Sequence, residues 1–245
     1  MIERKVTNVA NFLDALRADQ DGSTTWFPGH AKASWTLLPG IMRSRSGLSE
    51  ASSLARFKQS AAMLTDSTPS SAFDWTFLMQ HYGVPTRLLD WSESPLVALF
   101  FAVDSFAKHR NAEAAVWCLK PTALNKNANI SNAIETNYIP SFEAEELEPY
   151  ATEKLKATNV ELLPVSTIAT RNNPRIQAQM GTFTIHHTKR VPIEAVGDKS
   201  HVIKYLIPRN ARETLKKELK LLGLNQFSLF PELTSVGAIL REMMQ

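Results

Sequence analysis

The 245-residue sequence predicts a single mixed α+β domain, and three observations carry that prediction. Apolar residues fall at helical spacing over residues 49–63 (Leu54, Phe57 and Ala61, continued by Leu64) and over 211–222 (Leu215, Leu219 and Leu222). Two short apolar runs, residues 114–119 and 202–207, have the length and composition of strands. No repeat and no low-complexity linker divides the chain.

The elements follow in order. Residues 1–20 read as a helix, with Val9, Phe12, Leu13 and Leu16 on one face. A polar loop, DGSTT, leads to Trp26 and Phe27, which read as the end of a short strand broken at Pro28-Gly29. The helix over 49–63 is followed by a turn-rich loop over 66–71 and a helix over 73–81, stopped by Tyr82-Gly83-Val84-Pro85. Residues 95–108 are apolar enough for a buried helix, with Pro95 in its first turn. Residues 120–160, which include SFEAEELEPY, read as loops and short helices forming an insertion or lid over a cleft. Residues 176–186 read as a strand, because Phe183 and Ile185 alternate with threonine. Gly223 stops the helix over 211–222, and residues 233–244 form the last helix.

Composition narrows the class. Hydrophobic residues are 44% and charged residues 21%, ordinary values for a globular chain that needs no staple to build a core. The single cysteine, Cys118, excludes an intrachain disulfide and a cysteine zinc cluster, and its place in AAVWCL reads as a buried, inert thiol in a cytoplasmic protein. No apolar stretch is long enough to span a membrane, and the N-terminus lacks the apolar core of a signal peptide. The net charge of +3 and pI near 9.0 permit a nucleic-acid partner without demanding one. The basic clusters at 189–190, 209–212 and 216–217 are short and read as solvated faces.

The chemistry-bearing residues concentrate in QHYGVPTRLLDWSESPLVALFFA, residues 80–102. A polar stretch inside apolar sequence needs internal partners. Arg87 and Asp90 could satisfy each other at a helix start capped by Asp90 or Ser92. They could equally form the polar floor of a pocket, with Gln80, His81, Thr86 and Arg87 facing a ligand. Glycine-rich phosphate loops, the metalloprotease pair and the nucleophile elbow are all absent. His186 and His187 are adjacent, so on a strand they point to opposite faces, and no metal is expected.

Three blocks carry a family resemblance. The first is WFPGHAKASWTLLPGIMR, residues 26–43. The second is the segment 80–102 already quoted, the most specific of the three. The third is RIQAQMGTFTI, residues 175–185, followed by YLIP and LFPEL. Together they resemble the FRG domain family, bacterial and phage proteins named for a Phe-Arg-Gly motif. That motif is itself similar to the opening aromatic-Arg-Gly of ADP-ribosyltransferases of the Arg-Ser-Glu type.

The second resemblance implies a split β-sheet core flanked by helices and a reaction with NAD as substrate. It implies that an arginine at the motif's centre binds the dinucleotide, that Thr86 lies on a central strand ahead of an Ala98–Phe101 helix, and that a late glutamate orients the acceptor. Here the late segment is Gln177-Ala-Gln179, which offers amides and no carboxylate. The catalytic positions implied are therefore 28, Thr86 and Gln179. Phe27, Gly29, His30, Arg43, Gln80, His81, Arg87 and Asp90 are the implied NAD-binding residues, and Trp26, Trp35 or Trp91 could stack on a ring. The implied function is a toxin of a toxin–antitoxin or phage-defence system, acting on RNA first or on protein, with an antitoxin as partner. A non-catalytic nucleotide- or protein-binding module is the alternative, and a nuclease a second one.

Position 28 holds proline where the motif has arginine. Proline has neither charge nor backbone N–H, so it cannot do what an arginine does there. Either the chain is a binding protein or this copy is disarmed by that residue. The survival of the other blocks favours the second reading.

Overall fold

The computed structural model describes all residues except 45–46, 62, 66–68, 105–107, 110, 132–134, 136, 156–160, 169–172 and 245. Parts of the expected loop over 66–71 and of the end of the helix over 95–108 therefore lie outside the described residues. Among the described residues, seven strands form two sheets. The first has the order β1-β7-β4-β2, with β1 (Ile2–Lys5), β2 (Gly29–His30), β4 (Ala114–Leu119) and β7 (Val202–Ile207). Its β1–β7 pair is parallel and the others antiparallel. The second is an antiparallel sheet of order β3-β6-β5, with β3 (Leu88–Ser92), β5 (Val165–Thr167) and β6 (Gly181–Ile185). Helices flank both, in line with the α+β class.

The strand β4 is apolar at every position because both its faces are covered. Ala114, Val116 and Cys118 face one core, with the helices α1 (Val9–Asp19), α5 (Pro95–Asp104) and α8 (Arg212–Leu221). Ala115, Trp117 and Leu119 face a second core, with Trp26, Leu37, Trp91 and Ile193. Burial pushes the Cys118 thiol up to about 12, so it stays protonated, as its apolar surroundings suggested.

Several expectations need correction. Residues 1–20 are not one helix: β1 comes first, and Asn8 caps α1 by accepting a hydrogen bond from the Asn11 N–H. Pairing with β7 supplies long-range bonds that local propensity cannot show. The strand at Trp26 and Phe27 is not broken at Pro28. It continues through Gly29–His30, and the Pro28 carbonyl accepts the Trp117 N–H at 3.1 Å. Residues 176–186 split into a short helix, α7 (Pro174–Ala178), and β6, separated by Met180 at φ 48°. The described part of 120–160 packs in part against the second sheet. Its helix α6 (Pro121–Asn127) holds β5 through Asn125, which donates to the Ser166 carbonyl and accepts the Ser166 N–H, while Leu147 and Tyr150 enter the core under the second sheet.

The basic cluster at 209–212 is only partly a solvated face. Arg212 is buried and donates to the carbonyls of Ala31, Ala112 and Ala102 at 3.0–3.1 Å. It ties the end of the β2 segment to the end of α5. No helix among the described residues is long and apolar enough to cross a membrane.

Candidate active site

The segment 26–30 is the seam between the sheets. Trp26 exchanges both backbone hydrogen bonds with Leu119 of β4, at 2.9 and 2.8 Å. Phe27 exchanges both with Ser92 of β3, at 2.7 and 2.8 Å. Beyond that single bridge β2 stays with β4 while β3 runs on with β6, and a cleft of about 370 Å³ opens where they separate. Such a place suits a small ligand.

Strand alternation decides what faces it. Phe27 and Gly29 turn toward α5. A Cβ on Gly29 would lie 1.9 Å from the Ala98 carbonyl oxygen and 2.7 Å from the Ala102 nitrogen, so only glycine lets the strand lie against the helix. Pro28 and His30 alternate to the opposite side, and all four residues contribute to the cleft lining. Trp117 directs its backbone groups at position 28, and a residue with an N–H there would return a ladder bond to its carbonyl. Pro28 cannot.

The remaining walls come from distant elements. The short helix α2 (Gly40–Arg43) is held by the Ile41 N–H on the Thr86 carbonyl at 3.3 Å and brings Arg43 to the rim. The helix α4 (Ala72–His81) starts at a reciprocal Ser71–Asp74 cap and ends with Gln80 and His81 in the cleft. The helix α7 contributes Arg175, and Trp35, Phe77 and Phe101 supply aromatic faces. The charged lining among the described residues is thus two arginines and one carboxylate, Asp90.

Asp90 sits at the centre of β3, reached by solvent but ringed by protein at the cleft floor. That enclosure raises its carboxyl above the usual carboxylate range, against a hydrogen bond from Gln80 and the charge of Arg175, which lower it. A second chain of bonds fixes the Gln80 amide. The Leu88 N–H donates to Thr86 Oγ1 at 3.1 Å, and the Thr86 hydroxyl donates to Gln80 Oε1. The Gln80 Nε2–H is left to face Asp90.

His30 is enclosed more tightly. Burial pushes its pKa down to about 4, with Arg43 and Lys204 adding to the effect, and its Nδ1 is buried without a hydrogen-bond partner. Desolvation, helped by Arg175, likewise lowers His81.

The expected site therefore assembles in large part. Phe27, Pro28, Gly29, His30, Arg43, Gln80, His81, Asp90 and Gln179 all line the cleft, and Thr86 and Arg87 do not. Arg87 is 4% exposed and pairs with Glu50, not with Asp90. Its Nε donates to Glu50 Oε2 at 2.6 Å, and its other nitrogens donate to the carbonyls of His186 and Tyr150 at 2.7 Å. Thr86 is also buried and acts only through Gln80. Gln179 lines the cleft, but its amide donates to the Leu229 carbonyl at 3.0 Å. Gln177 is on α7, not at a strand start. Asp90 caps no helix. Of the three tryptophans, Trp26 is a core residue outside the cleft, while Trp35 and the largely buried Trp91 both line it. Arg175 was missed as a site residue; its position before a buried strand carries no local signal.

Residues 23–111 match the family model of the FRG domain. That segment is similar to the FRG domain over about a third of the chain. The matched segment holds the seam strand, α2, α4, β3 and α5, which is most of the cleft. Arg175 and Gln179 lie outside the match and come from the chain that follows. No curated protein and no solved structure matches the chain.

His186, just behind the cleft, provides a stability test. It is fully buried, its Nε2 bonds the Val191 carbonyl at 3.0 Å, and burial lowers its pKa to about 4. Between pH 6.5 and about 4 the unfolded chain binds a proton that the folded chain refuses. Stability is thus full above pH 6.5 and falls by about 3 kcal/mol toward pH 4. Urea unfolding at pH 7 and 4.5 measures the loss, and His186→Gln, which can still donate to Val191, is expected to shrink it. An unchanged pH dependence in that variant would assign the acid loss to other groups.

Proposed function

We propose that this cleft binds NAD, and that the same chain with arginine at position 28 transfers ADP-ribose from it. The observation that carries the reading is the placement of position 28. It faces the cleft at the point where the two sheets separate, among Asp90, Arg43 and Arg175. A pyrophosphate needs planar, permanently charged donors, which arginines supply. Trp35, Phe77 and Phe101 offer faces for a nicotinamide or adenine ring. Pro28 provides none of the charge, and in this reading it disarms a toxin whose other parts persist.

The acceptor in this reading is nucleic acid, RNA first, supported by the weakly basic pI of about 9.0 and by the family resemblance. A protein antitoxin is the partner it implies, and the helix α10 (Leu233–Met243) leaves Leu233, Leu240 and Met243 exposed for one. Pro28 itself favours a second reading, a nucleotide-binding module without catalysis. A nuclease draws the least support, because metal-assisted phosphodiester cleavage uses several carboxylates and the described lining has only Asp90.

The experiment expresses the chain and its Pro28→Arg form in a tightly repressed host, then incubates each lysate with labelled NAD and separates RNA, DNA and protein. Growth arrest and labelling of one fraction by Pro28→Arg alone is the expected result, and the labelled fraction names the acceptor class. Binding of ADP-ribose by both forms with transfer by neither would establish the module instead.

A further inference from the structure

We propose that Asp90 is the catalytic carboxylate of this cleft and that Gln80 and Thr86 are its positioning residues. The proposal rests on the transferase reading above. Three observations point to it. Asp90 is the only carboxylate among the described residues of the cleft lining. The late amide pair cannot replace it, because Gln177 lies outside the lining and the Gln179 amide is committed to Leu229. A hydrogen-bond chain, Leu88 N–H to Thr86 and Thr86 to Gln80, fixes the Gln80 amide, which interacts with this carboxylate.

The arrangement differs from a structural network in where it stops. Arg87 and Glu50, three and forty residues away in sequence, are sealed from solvent and saturated by hydrogen bonds. Asp90 is open to the cleft, so part of its acceptor capacity remains for a ligand. The groups that share the cleft with it are Arg175 from α7, Arg43 from α2, His30 from β2 and His81 from α4. Of these Arg175 acts on it directly. His30 stays neutral above about pH 4 and keeps its orphaned Nδ1 on the same side of the seam strand as position 28.

The role follows from the bonds that change. In ADP-ribosyl transfer the bond between the ribose carbon and the nicotinamide nitrogen breaks, and its electron pair leaves with neutral nicotinamide. The acceptor oxygen bonds to that carbon, and its proton passes to Asp90. A carboxyl with a raised pKa is a better base for this than an ordinary one. The Gln80 amide holds the carboxylate's orientation while the Arg175 charge limits the rise.

The test places Asp90→Asn, Asp90→Glu and Gln80→Leu in the Pro28→Arg form and measures ADP-ribose binding by calorimetry beside transfer. A 13C titration follows the Asp90 carboxyl directly, in the chain as it stands and in Gln80→Leu. Asp90→Asn is expected to lower kcat by at least about 100-fold while ADP-ribose still binds, and Asp90→Glu to recover part of the rate. Losing the Gln80 bond removes a stabiliser of the charged form, so the carboxyl pKa rises and the acid limb of the rate profile moves to higher pH. Full transfer by Asp90→Asn would overturn the proposal with the transferase reading intact, and an unmoved carboxyl titration in Gln80→Leu would overturn the positioning role. If Pro28→Arg neither binds ADP-ribose nor transfers it, the transferase reading fails and this assignment falls with it.

Discussion

Arg87→Leu is expected to destabilise the protein by about 3–5 kcal/mol, enough to unfold a large fraction of a marginally stable chain. The guanidinium is buried at the meeting point of four segments. It binds Glu50 at the start of the helix α3 (Glu50–Ala61), the carbonyls of His186 and Tyr150, and through its own backbone the edge of the second sheet. Leucine fills part of the volume but leaves the Glu50 carboxylate at 5% exposure with only the Arg87-position N–H and the Thr152 hydroxyl, at 3.2 Å, as partners. An uncompensated buried charge is the main penalty. Urea unfolding gives the loss, and the double variant Arg87→Leu, Glu50→Leu is expected to recover part of it because the orphaned charge is gone. A loss under 1 kcal/mol for Arg87→Leu would mean that the pair is solvated and that Arg87 is free for a ligand after all.

Gly29→Ala is the second large effect, expected at about 3 kcal/mol. The added Cβ meets backbone, the Ala98 carbonyl at 1.9 Å and the Ala102 nitrogen at 2.7 Å, so no side-chain rotation relieves it. The seam strand must move off α5, and because its neighbours bridge both sheets, the cleft moves with it. Thermal unfolding and ADP-ribose binding should therefore fall together. Gly47→Ala is the control, since a Cβ there meets nothing within 4 Å. Equal stability in the two variants would show that β2 and α5 are not in the close contact described.

The residues of the segment 86–90 show how far local sequence carries the site. Their polarity inside apolar flanks already indicates that each needs a partner, and the family blocks already indicate a functional region. What neither contains is direction. Thr86, Arg87 and Asp90 belong to one extended run, yet Asp90 faces the cleft while Thr86 supports Gln80 behind it and Arg87 joins a carboxylate from residue 50. Reading the run as a helix start would have put Arg87 and Asp90 together. As a strand it separates them, and the hydrogen bonds that make it a strand come from β6, some ninety residues later.

The sequence by itself determined the α+β class, the positions of β4 and β7, the helices over most of α3, α4, α5, α8 and α10, the inert Cys118 and the likeness of residues 23–111 to the FRG domain. These rest on periodicity, turn residues and motif, all of which are local properties. Only the tertiary structure decided that β1 precedes the first helix, that Asn125, Leu147 and Tyr150 support the second sheet, that Arg212 is an internal clamp, and that Arg175 lines the cleft. Each of those outcomes depends on partners supplied by distant chain. Burial gives a polar side chain its role by deciding which hydrogen-bonding groups surround it, and that choice is made when the sheets and helices pack.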